Sequence, residues 1–430
     1  MDTKPDFEHP GDSGNSKLKT LWLEILCGVA ILCLLIGFYV GRKVASRPTE
    51  VSSTEIRETP NTQSDAPNAK SDTPGTKPDA SRDRLDASNT TPVRAGRKSY
   101  VIGFYDLDNL FDTYHDDGKN DYDYLPDGKN EWTDFKYEKK LANMARVIRA
   151  MRDENKAYHA ILGVCDIENR HALEDLVAQE AIADAHYQIV HYDGPDRRGI
   201  DVALLYRPEL FTVLESKSIP FTFNSTLDFG MTKEEQATFR TRDLLMVRGV
   251  LGGEMFAILV GHLPSRLGQN SNALRSRGGQ MMYEESVYLM QKYPGIKIVV
   301  MGNMNDNPTD DSMAVWMHGR ERPEEVGPMD FFSPFLSMLK AGYSSYYYRG
   351  ENNIYDVIVV NEALVNAPKS TLKIQPIVRK KYYGRIFNPP FMVQQAGQYV
   401  GQPLRTFSNG AFVGGYSDHF PTYIVVSNKE

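Results

Sequence analysis

The chain has 430 residues, of which 41% are hydrophobic and 24% charged, and a formal net charge of -7. That length leaves room for one large domain with appendages, and the acidic balance excludes a broad polybasic surface for polyanions. Chemistry on a phosphate would therefore need a local cation, which usually means a bound metal.

Residues 1–20 are polar and poor in apolar side chains, which predicts disorder. Residues 21–41 read LWLEILCGVAILCLLIGFYVG, with Glu24 the lone charge, a length that fits one transmembrane helix of about 20 residues. Arg42 and Lys43 follow directly, where a cleavable signal would need small residues. Lys4, Lys17 and Lys19 precede the span while Arg42, Lys43, Arg47 and Arg57 follow it. The positive-inside rule thus does not decide the orientation and leans slightly against export of the C-terminal part. Residues 42–97 are rich in Ser, Thr, Asp, Asn and Pro and read as a disordered tether. Of Cys27, Cys33 and Cys165, the first two lie in the apolar run, so the remainder carries no disulfide framework.

The folded domain is predicted over 98–428. Ser99 to Leu107 reads as a buried first strand, followed by an acidic loop, His115 to Glu131, whose spacing is not that of an EF-hand and which reads as a solvated insertion. Leu141, Met144, Ala145, Ile148 and Met151 share one face of a predicted helix over Tyr137 to Met151. Strands are predicted at Ala160 to Ile167 and Val202 to Tyr206, with a helix from His171 between them. Asp243 to Val250 and Glu254 to Gly261 form a predicted hairpin across Gly252-Gly253. A helix over Asn272 to Gln291 and strands at Ile296 to Met301, Ile354 to Val360 and Thr422 to Val426 complete a mixed α/β sandwich.

The ends of these strands carry polar residues that folding alone does not require. They are Phe104 to Asp112 (FYDLDNLFD), Leu162 to Arg170 (LGVCDIENR), Asp196 to Ala203 (DRRGIDVA), Gly261 to Arg266 (GHLPSR) and Gly302 to Pro308 (GNMNDNP). Tyr355-Asp356 and the closing Ser417-Asp418-His419-Phe420-Pro421 come after them. An Asp-His pair at a loop-to-strand edge can position a water and move its proton. Asp and Asn are also turn formers, which would account for Gly302 to Pro308 alone but not for the whole ordered series. Walker, nucleophile-elbow and His-Glu-x-x-His patterns are absent, which removes NTPase, serine hydrolase and zincin readings.

In this order the segments resemble those of the endonuclease/exonuclease/phosphatase superfamily, deoxyribonuclease-like in type. Its motifs are F-x-N-x-x-N-L-F-D, L-x-E-V-E-N-R, R-G-I-D-V-A, N-H-x-P-S-R, G-D-F-N-D-x-P and S-D-H-x-P. The resemblance implies a four-layer sandwich of two mixed β-sheets flanked by helices. It assigns Mg²⁺ or Mn²⁺ to Asp106, Asp166 and Asp418, phosphate stabilisation to His262, Asn305 and Arg198, and the scissile phosphate to His419, oriented by Asp356. Many bacterial relatives are secreted or envelope proteins, which implies an exported, periplasmic or extracellular domain. The implied activity is hydrolysis of a phosphoester, foremost a phosphodiester or nucleic acid, by metal-assisted attack of water. A phosphomonoester or lipid headgroup would use the same core. A nucleic-acid strand would draw on Arg266, Arg275, Arg277, Tyr346, Tyr347, Tyr348 and Arg349.

Three positions depart from that pattern. Asp106 stands for Asn, Asp166 for Glu, and Asn303 for the Asp that activates the nucleophilic water. An amide has no ionisable proton and cannot act as a base. The acid and amide have exchanged places, so the first expectation is that Asp106 supplies the base or metal ligand and Asn303 the supporting donor. The alternative is a catalytically impaired member that serves as a membrane-tethered binding module.

Overall fold

The central strands of the second sheet are buried on both faces, and their sequence shows it. Along Glu254–His262, Phe256, Ile258 and Val260 enter one apolar core while Ala257 and Leu259 enter another. Lys297–Asn303 repeats this, Val299 and Met301 facing the first core and Ile298 and Val300 the second. Alternate side chains of a strand point to opposite faces, so a continuous apolar run marks a strand covered on both sides.

The computed structural model describes residues 98–428 apart from residues 269, 349 and 380. The predicted tail 1–20, span 21–41 and linker 42–97 lie outside the described residues. Among those described, no helix is long and apolar enough to cross a membrane.

Eight strands in chain order carry the first two-thirds of the architecture. They are β1 (Ser99–Leu110), β2 (Ile161–Ile167), β3 (Gln188–His191), β4 (Asp201–Tyr206), β5 (Phe211–Ile219), β6 (Leu244–Leu251), β7 (Glu254–His262) and β8 (Lys297–Asn303). The first seven-stranded sheet runs from the closing strand Thr422–Ser427 through β1, β2 and β4 to β3. Lys373–Ile374 and Gly384–Ile386 both pair with the far side of the closing strand. The second seven-stranded sheet runs β5, β6, β7, β8, then Asp356–Asn361, Phe331–Phe332 and Gly319–Arg320. Each sheet mixes parallel and antiparallel pairs: β1 with β2 and β7 with β8 are parallel.

The sheets pack face to face around Phe104, Ile161, Ile258, Val260, Met301 and Ile358, all fully buried. Helix Asp134–Asn155 covers the first sheet with Leu141, Met144, Ala145, Ile148 and Met151 inward. Helix Ser271–Lys292 covers the second with Met282 and Leu289. Of β1 to β8, two strands went unread in the sequence, as did the two- and three-residue strands that follow. β3 and β5 are largely half-buried edge strands, and their mixed polar pattern gives no clear period.

Gly302 sits where β7 and β8 come closest. A Cβ at Gly302 would lie 2.0 Å from the Gly261 carbonyl oxygen, and backbone cannot yield as a side chain can. Gly302→Ala is expected to cost about 3 kcal/mol, read as a lower urea midpoint at unchanged slope. An unchanged midpoint would show that β8 shifts freely.

Candidate active site

Strand register gathers the polar residues at one edge of the sandwich. In the first sheet Asp106 lies opposite Cys165, and Phe104 opposite Thr422, just after Asp418 and His419. In the second, Asn303 lies opposite both His262 and Asp356. The carboxyl ends of β1, β2, β7 and β8 therefore meet the start of strand Asp356–Asn361 and the closing loop, and each sheet contributes part of one site.

The two sheets are joined there by a hydrogen bond. Asn303 Nδ2 donates to Asp106 Oδ2 at 2.8 Å, and Cys165 Sγ donates to the same oxygen at 3.2 Å. Asp106 Oδ1 accepts from the Asp108 amide at 2.9 Å. Asn303 Oδ1 accepts from the Asn305 amide, and Asn305 Nδ2 donates to the Leu263 carbonyl at 2.9 Å. The exchanged pair is thus in contact, with the amide donating to the acid. Burial pushes the Asp106 carboxyl up, and His419 opposes that shift.

Local backbone shapes the rim. The β1–β2 pairing breaks between Asp106 and Leu110, and the β2–β4 pairing between Cys165 and Ile167. Within these irregularities Asp108, Asn109 and Asp166 adopt left-handed conformations, as does Asn305. Such backbone is strained for residues other than glycine and is tolerated best by Asp and Asn.

Two imidazoles at the site are pushed in opposite directions. His419 Nδ1 bonds to Asp356 Oδ2 at 2.8 Å, and that oxygen also accepts from Ser345 Oγ at 2.6 Å. The ring stacks on Tyr346 with centroids 4.2 Å apart, and its Nε2 lies 3.9 Å from Asp418 Oδ1. Burial disfavours the imidazolium, but Asp356, Asp106 and Asp418 outweigh burial and push His419 up to about 10. His262 is buried too, and burial, with Arg242 and Arg198 nearby, holds it well below 6.5. Its Nδ1 has no hydrogen-bond partner and lies 3.6 Å from Asp166 Oδ1.

The expected metal trio is only partly assembled. Ligand atoms of Asp106, Asp418 and His419 all lie within 4.8 Å of one another. Asp166 belongs to no such group among the described residues. Its shorter side chain and left-handed backbone turn the carboxylate to the Asn109 amide, 2.8 Å away, and to His262. A charged His419 is a donor and not a ligand. Asp106 and Asp418 remain, and Mg²⁺ is commonly held by one or two carboxylates with water or substrate oxygen filling the shell. Burial pushes up both Asp106 and Asp166, against His419 in the first and Arg198 in the second, and a divalent ion would offset that cost of burial.

Arg198, half-exposed, lines a cleft of about 440 Å³ beside the acids, with Asp108, Asn109, Asn120, Tyr124 and Arg405. The acidic loop is largely exposed, as its composition suggests, and is anchored at one buried point. Asp121 is buried, bonded to His115 and the Asp116 amide, and Asn120, Asp123, Lys129 and Asn130 line this cleft. Stacking of Tyr124 on Phe111 at 4.3 Å holds the loop down. The arginine track for a strand is also corrected. Arg275 is buried against Asp306 at 2.7 Å, Arg277 is bonded to Thr222 and Glu284, and Arg266 to Asp310 and Tyr355. Tyr346, Tyr347 and Tyr348 form a half-buried strand, and residue 349 lies outside the described residues.

Three residues of the site escaped the sequence reading. Lys140, on the inner face of helix Asp134–Asn155, donates to the Asp108 carbonyl, to Thr406 Oγ1 and to the Tyr416 carbonyl, with Nζ 3.7 Å from Asp108 Oδ2. Three residues on, Asn143 holds the carbonyls of Gly414 and Gly415. Together they clamp the closing loop. Arg242 donates to the Leu263 carbonyl and to Asp196. A charge within an apolar helix face, Lys140 next to Leu141, is the one sequence signal that could have found the first.

Residues 101–428 match a family model described as Endonuclease/Exonuclease/phosphatase family. No curated protein matches the chain. Among solved structures, a humanised TDP2 of D. rerio shares 14% identity and covers 76% of this chain and 98% of its own, with a TM-score of 0.45. The mannosyl-6-phosphatase Bt3783 of Bacteroides thetaiotaomicron VPI-5482 shares 14%, covers 76% and 99%, and has a TM-score of 0.44. The human nocturnin catalytic domain with bound sulfate shares 14%, covers 79% and 99%, and has a TM-score of 0.42.

In chelator, NMR titration of the ring resonances should find His419 protonated from pH 7 to about 10 and His262 neutral throughout. Because the folded value of His419 exceeds its unfolded one, its contribution to stability is complete below about pH 6.5 and is lost as pH rises through about 10. Asp356→Asn should flatten that part of the stability profile; an unchanged slope would assign the dependence to another group. Lys140→Met strips the Asp108 and Tyr416 carbonyls of a buried donor and should cost about 3 kcal/mol in urea denaturation.

Proposed function

The chain belongs to the endonuclease/exonuclease/phosphatase family, and on that premise we propose that it is a divalent-metal-dependent phosphoesterase, held at a membrane by residues 21–41. The observation that carries this reading is the contact of Asn303 with Asp106 at 2.8 Å, within a cluster that also holds Asp418 and His419. The family's acid and amide have changed places, and one ionisable group is still present beside the phosphate position. A decayed site would have no reason to retain that contact.

Asp106 and Asp418 would hold Mg²⁺ or Mn²⁺, which when bound neutralises phosphoryl charge and favours ionisation of water. The chain's own groups supply the rest. Where it does not ligate the ion, Asp106 is the carboxylate placed to take a proton from the attacking water. The amide of Asn303 fixes that carboxylate's orientation. His419, kept protonated by Asp356 and pinned on Tyr346, donates to a phosphoryl oxygen, as charge-assisted donors do at developing negative charge. His262 stays neutral and turns an unpartnered Nδ1 towards the site. Asn305, locked to the Leu263 carbonyl, and Arg198 at the cleft mouth stabilise the phosphate. Nothing in this chemistry distinguishes a diester from a monoester.

Residues 42–97 would tether the domain to the bilayer, with the domain exported. Full-length protein should sediment with membranes, whereas a chain starting at residue 98 should not.

The test of the catalytic reading is hydrolysis of DNA, RNA, sugar phosphates and phospholipids with Mg²⁺ and Mn²⁺. Asp106→Asn, with Asn303 kept, should lower kcat by about 100-fold or more. A variant as fast as wild type sinks the exchange. Calorimetry should detect Mg²⁺ or Mn²⁺ at millimolar concentration, and no binding would favour the binding-module alternative.

A further inference from the structure

A second cleft, of about 540 Å³, opens beside the first and shares Arg405 and Phe407 with it. It is lined by Gln394, Gln398, Gln402, Tyr399, Tyr347 and Asn409. Arg405 is the cation at the junction, 3.7 Å from Asp418 Oδ2. No carboxylate lines the second cleft among the described residues.

This wall is built and not merely a mobile surface. The Gln394 amide donates to the Gln402 carbonyl at 2.9 Å, the Gly401 amide to the Gln394 carbonyl at 3.0 Å, and the Leu404 amide to the Met392 carbonyl at 2.7 Å. The Tyr416 amide donates to the Leu404 carbonyl at 2.6 Å, which ties the loop to the segment carrying Asp418. Facing it, Asn409 and Gly410, both with positive φ, turn a short hairpin of Phe407–Ser408 and Ala411–Phe412. Gln395, the glutamine of the loop that does not line the cleft, bonds to the carbonyls of Pro390 and Val393.

The chemistry of the lining selects a ligand class. A nucleic-acid strand carries a charge at every step and needs cations spaced along its path. Among the described residues that line this second cleft, Arg405 is the one cation. Each glutamine amide offers donors and an acceptor together, as each sugar hydroxyl does. Tyr347 and Tyr399 add apolar faces with polar edges. Phe407 packs against Trp132 and Phe412, with centroids 5.9 and 5.6 Å away, and is not free to sandwich a nucleobase. We propose that this cleft is the subsite for a neutral, polyhydroxylated ring, so that the substrate is a sugar phosphoester seated with its phosphate between Arg405 and the acid cluster. The proposal rests on the phosphoesterase reading.

The test uses the full chain in detergent with Mg²⁺ or Mn²⁺. Four substrates are compared: glucose 6-phosphate, p-nitrophenyl phosphate, a mononucleotide and a single-stranded oligonucleotide. Glucose 6-phosphate should give the highest kcat/KM. The double variant Gln394→Ala/Gln402→Ala should raise its KM about tenfold, as expected for loss of one or two hydrogen bonds, and leave p-nitrophenyl phosphate within about twofold. A wild-type preference for either nucleotide substrate overturns the subsite and leaves the phosphoesterase reading intact. So does a variant that affects both small esters alike. If no ester is cleaved with either metal, that reading falls, and saturation-transfer NMR with glucose 6-phosphate decides the subsite alone. Transfer to the ring protons that is present in wild type and abolished in the double variant supports it; no transfer in wild type overturns it.

Discussion

Asp106 is a carboxylate at the seam between two sheets, 2% exposed, and the geometry of the site depends on how it is held. A buried charge without donors costs several kcal/mol. Asp106 receives three donors: the Asp108 amide and the Cys165 thiol from its own sheet, and the Asn303 amide from the other. Because one donor crosses the seam, sliding the sheets apart would strand the acid. The core that packs β1 and β2 against β7 and β8 therefore also sets the spacing of the reacting groups.

The same enclosure gives one residue type two behaviours. His262 and His419 are both buried, yet His262 is held neutral while three acids keep His419 protonated. Groups whose environments push them apart in this way are suited to different tasks within one reaction. Around them, cations within the fold are each committed to a stated partner. Lys140 ties Asp108 to the closing loop, Arg275 neutralises Asp306, and Arg242 caps the Leu263 carbonyl that also receives Asn305. Arg198 and Arg405 are the arginines among the cleft-lining residues. A chain of net charge -7 thus turns a few cations to the cleft beside its acid cluster.

The loops that build the cleft are anchored by packing and not by charge. Tyr124 stacks on Phe111, Trp132 Nε1 donates to the Phe111 carbonyl, and Phe412 meets Trp132 edge-on. These contacts bring the acidic segment after β1 and the hairpin after Arg405 to opposite walls of one opening. Neither segment has a periodic pattern of its own, because its order is supplied by aromatic packing, within and around the loop at Phe111, Tyr124 and Trp132 and across the chain at Phe407 and Phe412.

Much of this was legible in the residues alone. The apolar runs at Ser99, Ala160, Glu254, Ile296 and Thr422 located the central strands, and each was found within a few residues of its predicted ends. The polar residues terminating those runs marked the candidate site, because a buried strand has no use for Asp, Asn or His at its tip unless something is to be held there. The edge strands β3 and β5 gave no comparable signal, being covered on one side only in part. What the sequence could not state was direction. Whether Arg275 faced a ligand or Asp306, and whether Lys140 pointed to solvent or to Asp108, was decided by helix placement, and a left-handed turn set the aim of Asp166. Local composition determined which groups were present and on which strand ends. Only the packing of two sheets and their covering loops decided which of them meet, since a hydrogen bond spanning 197 positions leaves no trace in any short stretch of chain.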